Sequence, residues 1–215
     1  YGIQQGVEIK LKKNIPVAAG MAGGSTDAAA TMIAMNALYK LGLSKEALMQ
    51  QALRLGADIP FCILGGTALA EGIGEKLTSL PAPPTAALLI VKPPIMVSTK
   101  WVYENLQVNQ LKRHPDIDGM VDALKQGVLK GITDRMENVM ETVTEQAHPV
   151  ITDIKKMMRG SGAMNAVMSG SGPSIFGVFL EKEAARAAAV YIDQTLRTKG
   201  MDAQVNVTEF YNGDS

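Results

Sequence analysis

The chain has 215 residues, 47% of them hydrophobic and 20% charged, with 21 Lys and Arg set against 21 Asp and Glu. That length can bury a real core, as one large domain or two small ones, and the composition excludes a disordered chain. The even balance removes the cationic surplus that draws a protein non-specifically to nucleic acid or an anionic membrane, and no apolar run reaches the length of a membrane span.

The opening YGIQQGVEIK carries neither the basic nor the apolar segment of a secretion signal. A lone cysteine, Cys62, has no partner for an internal disulfide. A cytoplasmic location is the expectation. The chain starts on Tyr1 and reaches a strand-like segment almost at once, so it reads as a cut through a larger fold.

In chain order, Val7–Lys12 alternates apolar and charged residues and predicts a half-buried strand. A loop with Gly20, Gly23 and Gly24 follows. A helix rich in Ala, Met and Leu is expected over Thr26–Lys40, ended by Gly42. Ser44 caps a second helix, with Glu46 in its first turn, running to about Leu55. Pro60 suits the first turn of a third. Thr67–Glu71 and Glu75–Thr78, around Gly72 and Gly74, read as a hairpin. Pro81, Pro83 and Pro84 mark a linker.

The second half opens on an apolar strand, Ala86–Val91, stopped by Pro93 and Pro94. Ser98 caps a helix through Leu106. After a polar turn at His114–Asp118, helices are expected at Ile117–Leu129, Arg135–Gln146 and Pro149–Arg159. Ala166–Met168 and Ile175–Leu180 bracket a second glycine loop. A helix over Lys182–Lys199 and a strand over Ala203–Thr208 complete a compact α+β sandwich. Cys62 and the methionines read as core residues, and His114 and His148 as surface histidines.

Glycine lets a backbone approach a ligand closely, and a helix start adds unpaired N–H groups with partial positive charge. The loop ending at Ser25, Thr26 and Asp27 therefore has the makings of a phosphate cradle. It is neither a Walker A loop nor a dinucleotide fingerprint, and a tight turn ahead of a helix would look the same. Asp58, in GADIPF, is either a helix cap or the carboxylate that phosphoryl transfer needs to take a hydroxyl proton. The loop MSGSGPS from Met168 to Ser174 is a hairpin turn or a second ligand loop. Asp116 and Asp118 lack the further ligands of a metal site.

Taken together, three segments resemble the three motif regions of the GHMP kinases. They are P-x-A-A-G-x-A-G-G-S-T-D-A-A from Pro16, G-A-D-I-P-F from Gly56, and M-S-G-S-G-P-S-I-F-G from Met168. The resemblance runs from Gly6 to Phe210. Lys92–Tyr103 and Gly65–Glu75 are similar to one branch, which phosphorylates the 2-hydroxyl of a cytidine diphosphate-linked methylerythritol for non-mevalonate isoprenoid precursors.

The resemblance implies a two-domain α+β fold. Residues 1–82 would be the remainder of an N-terminal ATP-binding domain, ribosomal protein S5 domain 2-like and incomplete here. Residues 83–215 would be a ferredoxin-like C-terminal sandwich. It implies ATP and Mg²⁺, with phosphates wrapped by Pro16, Val17, Ala18, Ala19, Gly20, Met21, Ala22, Gly23, Gly24, Ser25 and Thr26. Ser25 would reach the metal and Lys13 would lie near the adenine. Asp58 would be the catalytic carboxylate. Thr99, Tyr103, Gly170, Ser171 and Gly172 would meet the substrate, with Tyr103 stacking on cytosine. A small-molecule partner is implied, with neither nucleic acid nor membrane, in a monomer or weak homodimer. The lysine and the Tyr-His pair that the family carries near its start have no counterpart in these residues. Two alternatives stay open: another GHMP kinase, of homoserine or mevalonate type, and a nucleotide-binding fragment without activity.

Overall fold

The structure, a computed structural model, describes residues 1–111 and 113–211. The chain divides into two units. Residues 1–17 and 22–80 form the first; residues 18–21, 81–111 and 113–211 form the second.

The first unit holds three helices and a hairpin: α1 (Gly23–Leu38), α2 (Lys45–Ala52), α3 (Ile59–Leu64), β1 (Thr67–Glu71) and β2 (Lys76–Leu80). α1 starts at Gly23, ahead of the expected Thr26, so two of the loop's glycines lie in its first turn. Ser44 caps α2 by accepting the Ala47 N–H at 3.2 Å, and α2 ends at Ala52, short of Leu55. Asn36 clamps the connection, donating to Leu43 O at 2.9 Å and accepting its N–H at 3.1 Å. Pro60 sits in the first turn of α3, where its missing N–H leaves no bond unmade. Ala29, Leu48, Ala52, Ile59 and Ile63 make a small core among the helices. Each of its larger aliphatics contributes about 1.5–3 kcal/mol on burial.

The strand expected at Val7–Lys12 is absent. The segment is irregular, and Val7, Ile9 and Leu11 are 45%, 59% and 62% exposed. Alternation predicts which face a strand would bury but not which strand it would pair with. Among the described residues β1 and β2 pair only with each other.

The second unit is built on an antiparallel sheet in the order β4-β5-β3-β6, with β3 at Ala87–Lys92, β4 at Asn165–Met168, β5 at Ile175–Phe179 and β6 at Gln204–Glu209. Between β3 and β4 run α4 (Thr99–Asn105), α5 (Ile117–Gln126), α6 (Leu129–Asp134), α7 (Glu141–Ala147) and α8 (Val150–Gly160); α9 (Lys182–Thr198) joins β5 to β6. Ala87, Leu89 and Val91 face one way from β3. They meet Ile151, Ile154 and Met158 of α8 and Ala185, Ala188, Ile192 and Leu196 of α9, spaced as one helix face requires.

The single helix expected over Arg135–Gln146 is instead a turn followed by α7. Asn138 starts that turn by accepting the Met140 N–H, a local bond that competes with helix. Cys62 and His148 are half-buried, against the expected core and surface positions, while His114 is exposed. Asp116 caps α5 through the Gly119 N–H. Among the described residues, no helix is long and apolar enough to cross a membrane.

Candidate active site

Two alanines in the first loop, Ala18 and Ala22, hold left-handed φ of 51° and 48°, a conformation costing an L-residue about 1–2 kcal/mol. Ala22 stands at the N-cap of α1 and offers no side chain to cap it. The first α1 amide engaged within the helix is Thr26 N–H, bonded to Ala22 O at 2.8 Å. The amides of Gly23, Gly24 and Ser25 are thus left at the positive end of a sixteen-residue helix, a place that favours an anion. A Cβ added at Gly24 would meet no atom within 4 Å, whereas one at Gly23 would come within 3.1 Å of the Ile15 side chain and 3.8 Å of Lys13 Nζ. Lys13 is ion-paired with Asp27, which fixes its ammonium beside the first turn of α1 while the carboxylate offsets its charge.

α3 begins beside that turn. Thr26 Oγ1 lies 3.6 Å from Cys62 Sγ, and Cys62 is one turn on from Asp58, whose carbonyl it bonds at 3.2 Å. Asp58 occupies the N-cap position of α3, yet its carboxylate makes no capping bond and is exposed. The helix-cap reading of Asp58 is therefore set aside. The hairpin turn packs behind it, with a Cβ at Gly74 falling 3.7 Å from Ala57 O. Glu75 braces that turn by accepting the Ile73 N–H at 2.7 Å. Backbone amides, its own and then that of Ile73, hold its carboxyl below the usual range.

Within the second unit, Ala18–Met21 lies against the second glycine loop. Ser169 Oγ donates to Gly20 O at 2.8 Å, and Ser174 N–H reaches Ala19 O at 3.4 Å. A Cβ at Gly20 would stand 2.2 Å from Ser169 O, so this glycine, at φ +68°, serves a backbone-to-backbone contact. The loop closes on itself through Ser169 N–H to Ser174 O and Gly172 N–H to Ser169 O. Thr99 Oγ1 and Ser171 Oγ are 2.8 Å apart, which brings two of the expected substrate residues together. Tyr103, one turn further along α4, is 60% exposed.

Sequence reasoning missed the side chains that hold this loop. Asn138 Nδ2 donates to Met168 O at 2.8 Å and to Gly170 O at 2.7 Å. Glu141 Oε1 accepts the Met168 N–H at 2.7 Å. One signal was visible: Lys155 interrupts the apolar face formed by Ile151, Ile154 and Met158.

Among the described residues no group of three His, Cys, Asp or Glu forms a metal cluster. Mg²⁺ prefers phosphate oxygens, water and one or two protein oxygens. That donor set fits a half-buried Ser25 at the start of α1.

The chain matches the GHMP kinases N terminal domain over residues 1–66 and the GHMP kinases C terminal domain over residues 120–197. It is 50% identical over 211 residues to a curated 4-diphosphocytidyl-2-C-methyl-D-erythritol kinase of Lachnospira eligens, covering 98% of this chain and 72% of that protein. It is 46% identical over 202 residues to the kinase of the same name from Caldicellulosiruptor bescii, covering 92% of this chain and 71% of that protein. A crystal structure of 4-(cytidine 5'-diphospho)-2C-methyl-D-erythritol kinase superposes with a TM-score of 0.73 at 31% identity, over 91% of this chain and 68% of the other. Homoserine kinase from Cytophaga hutchinsonii shares the fold with a TM-score of 0.78 at 23% identity, over 91% and 67%. On these matches and this α+β architecture, the chain belongs to the GHMP kinase family.

Proposed function

We propose that this chain supplies most of a kinase that transfers the γ-phosphoryl group of ATP to the 2-hydroxyl of 4-diphosphocytidyl-2-C-methyl-D-erythritol. GHMP kinases take their phosphoryl group from ATP; the acceptor follows the relatives named above. The observation that carries the reading is the pair of uncapped helix starts in the first unit: among the described residues, no side chain caps the amides at Gly23–Ser25 and the Asp58 carboxylate makes no capping bond.

Main-chain amides of Gly23, Gly24 and Ser25 take phosphate oxygens, with Pro16–Met21 completing the loop around the nucleotide. Asp58 accepts the proton of the 2-hydroxyl. That oxygen then bonds to the γ-phosphorus as the β–γ bridging oxygen leaves with ADP. Fixed donors carry most of the rate, because charge spreads over phosphoryl oxygens in the transition state. Mg²⁺, with Ser25 as a protein oxygen, neutralises phosphate charge when bound. Thr99 and Ser171 orient the acceptor with Gly170 and Gly172, and Tyr103 offers a ring to the cytosine. Residues 1–82 are assigned to the ATP-binding domain and 83–215 to the C-terminal domain, in a cytoplasmic monomer or weak homodimer.

The test uses the whole polypeptide containing these residues, with ATP, Mg²⁺ and, in parallel, the cytidine diphosphate-linked methylerythritol, homoserine and mevalonate. ADP release and a phosphorus resonance at the 2-oxygen are expected with the first alone. Turnover with another acceptor would reassign the substrate, and ATP binding without turnover on any would favour the inactive-fragment reading. Asp58→Asn should lower kcat about 10²–10⁴-fold while ATP affinity stays within about twofold; equal losses in both would remove Asp58 as the base.

A further inference from the structure

Beneath the second glycine loop lies a charged cluster that the proposed chemistry does not use. Lys155 is 7% exposed. Its ammonium meets Glu141 Oε2 at 2.5 Å and Glu145 Oε1 at 2.6 Å, both on α7. A buried ion cluster of this kind is a poor source of stability, since apolar replacements of similar volume are often neutral or better. An apolar set would lack the remaining oxygen of Glu141, which is aimed at the Met168 N–H.

Asn138 takes the other edge of the same residue, bonding Met168 O, and then Gly170 O. Its own oxygen accepts the Met140 N–H at 3.0 Å, which fixes the direction of its amide. Buried Thr144 adds a bond to Ser171 O at 3.4 Å. The backbone from Met168 to Ser171 is thereby gripped by side chains at both its N–H and its carbonyls. Ser171 carries the hydroxyl that meets Thr99.

We propose that Asn138 and Glu141, the latter held by Lys155, are positioning residues for the phosphoryl acceptor. They set the height and tilt of the Met168–Ser171 backbone, and through it the Ser171–Thr99 hydroxyl pair. The proposal rests on the reading of that loop as part of the acceptor site. A misplaced orienting group is costly because reacting atoms must meet within a few tenths of an ångström.

The experiment uses the whole polypeptide, with KM measured separately for ATP and for the cytidine diphosphate-linked acceptor, alongside Tm and backbone hydrogen exchange over residues 168–172. Asn138→Asp replaces a donor facing two carbonyls with an acceptor. It should raise the acceptor KM at least tenfold, leave the ATP KM within about twofold and speed loop exchange. Glu141→Gln can keep its oxygen for Met168 N–H only by turning its NH2 toward the Lys155 ammonium, so it should raise the acceptor KM in the same direction as Glu141→Leu but by less, with the ATP KM within about twofold. Glu141→Leu should lose both Tm and acceptor KM. Adding Lys155→Met and Glu145→Leu to it, so that neither the ammonium nor its second carboxylate is left without a partner, should recover Tm without recovering acceptor KM.

A purely structural cluster would recover both together, and that result overturns the proposal. So does unchanged loop exchange in Asn138→Asp, whatever the activity. A wild-type protein that transfers nothing to the acceptor defeats the functional reading instead, and the acceptor role with it. Should Glu141→Leu fail to fold, Asn138→Asp and the triple variant decide the matter alone.

Discussion

The two glycine loops share a composition and differ in how their polar groups are spent. At the second, Ser169–Ser174 bonds to itself, to Ala19 and Gly20, and to Asn138, Thr144 and Thr99. At the first, the amides of Gly23–Ser25 meet no capping side chain, and a Cβ at Gly24 would face open space. A backbone whose groups are satisfied is a scaffold. One left with donors and room is prepared for something the protein does not itself contain. The same residue type thus does two jobs, and substitutions separate them.

The largest expected effect is on the scaffold side. Gly20→Ala places a Cβ 2.2 Å from a carbonyl oxygen at φ +68°, so the loop must move. Overpacking and a left-handed side chain together cost about 2–5 kcal/mol, and thermal unfolding should register it with or without nucleotide. Gly24→Val makes the converse case. Its Cβ would have no neighbouring atom within 4 Å outside its own helix turn, so Tm should hold. Nucleotide affinity, read by calorimetry, should fall at least about 100-fold, roughly 2.7 kcal/mol. Preserved ATP affinity would end the cradle argument, and a large loss of Tm would make Gly24 another scaffold glycine.

A finer division lies inside the scaffold loop. Ser174 is 1% exposed, and its hydroxyl is the one buried side-chain polar atom without a partner among the described residues. Leaving such a group unmatched costs about 1–3 kcal/mol. Ser174→Ala should therefore leave Tm unchanged or raise it, by the equivalent of about 1 kcal/mol. A clear drop in Tm would mean the hydroxyl is bonded in solution, and the loop more fully satisfied than its described bonds record.

Local chemistry was legible in the sequence; partnership across distance was not. Ser44, Ser98 and Pro60 announced their helix starts because a cap or a first-turn proline acts on its immediate neighbours. Gly72 and Gly74 announced the hairpin for the same reason. Val7–Lys12 misled because its alternation says nothing about a partner strand. Gly20 and Gly24 looked alike as letters, and only the approach of Ser169 told them apart. Asn138 and Glu141 act on Met168 from far along the chain, and an Asn-containing turn before a helix reads as an ordinary start. Lys155, a charge in the buried stripe of α8, was the one local trace of that network.

The smallest expected effect is on acid stability, and it compares the units rather than the loops. Glu46 and Glu75 in the first unit, and Asp116 and Glu209 in the second, all titrate below their ordinary values. Backbone amides lead for the first three, and the Lys182 ammonium for Glu209. A carboxyl lowered in the folded state favours folding above its unfolded value, 4.5 for Glu and 3.8 for Asp. It gives that contribution up as pH falls through the folded value. These four groups should thus leave Tm level from pH 7 to about 5 and pull it down below about 4.5. Three of the four are exposed and Glu75 is half-buried, so each step is small. Glu75→Gln together with Glu46→Gln should shallow the acid slope of the first unit alone. Asp116→Asn with Glu209→Gln should do the same for the second, which makes the order in which the two units yield to acid depend on the pair removed.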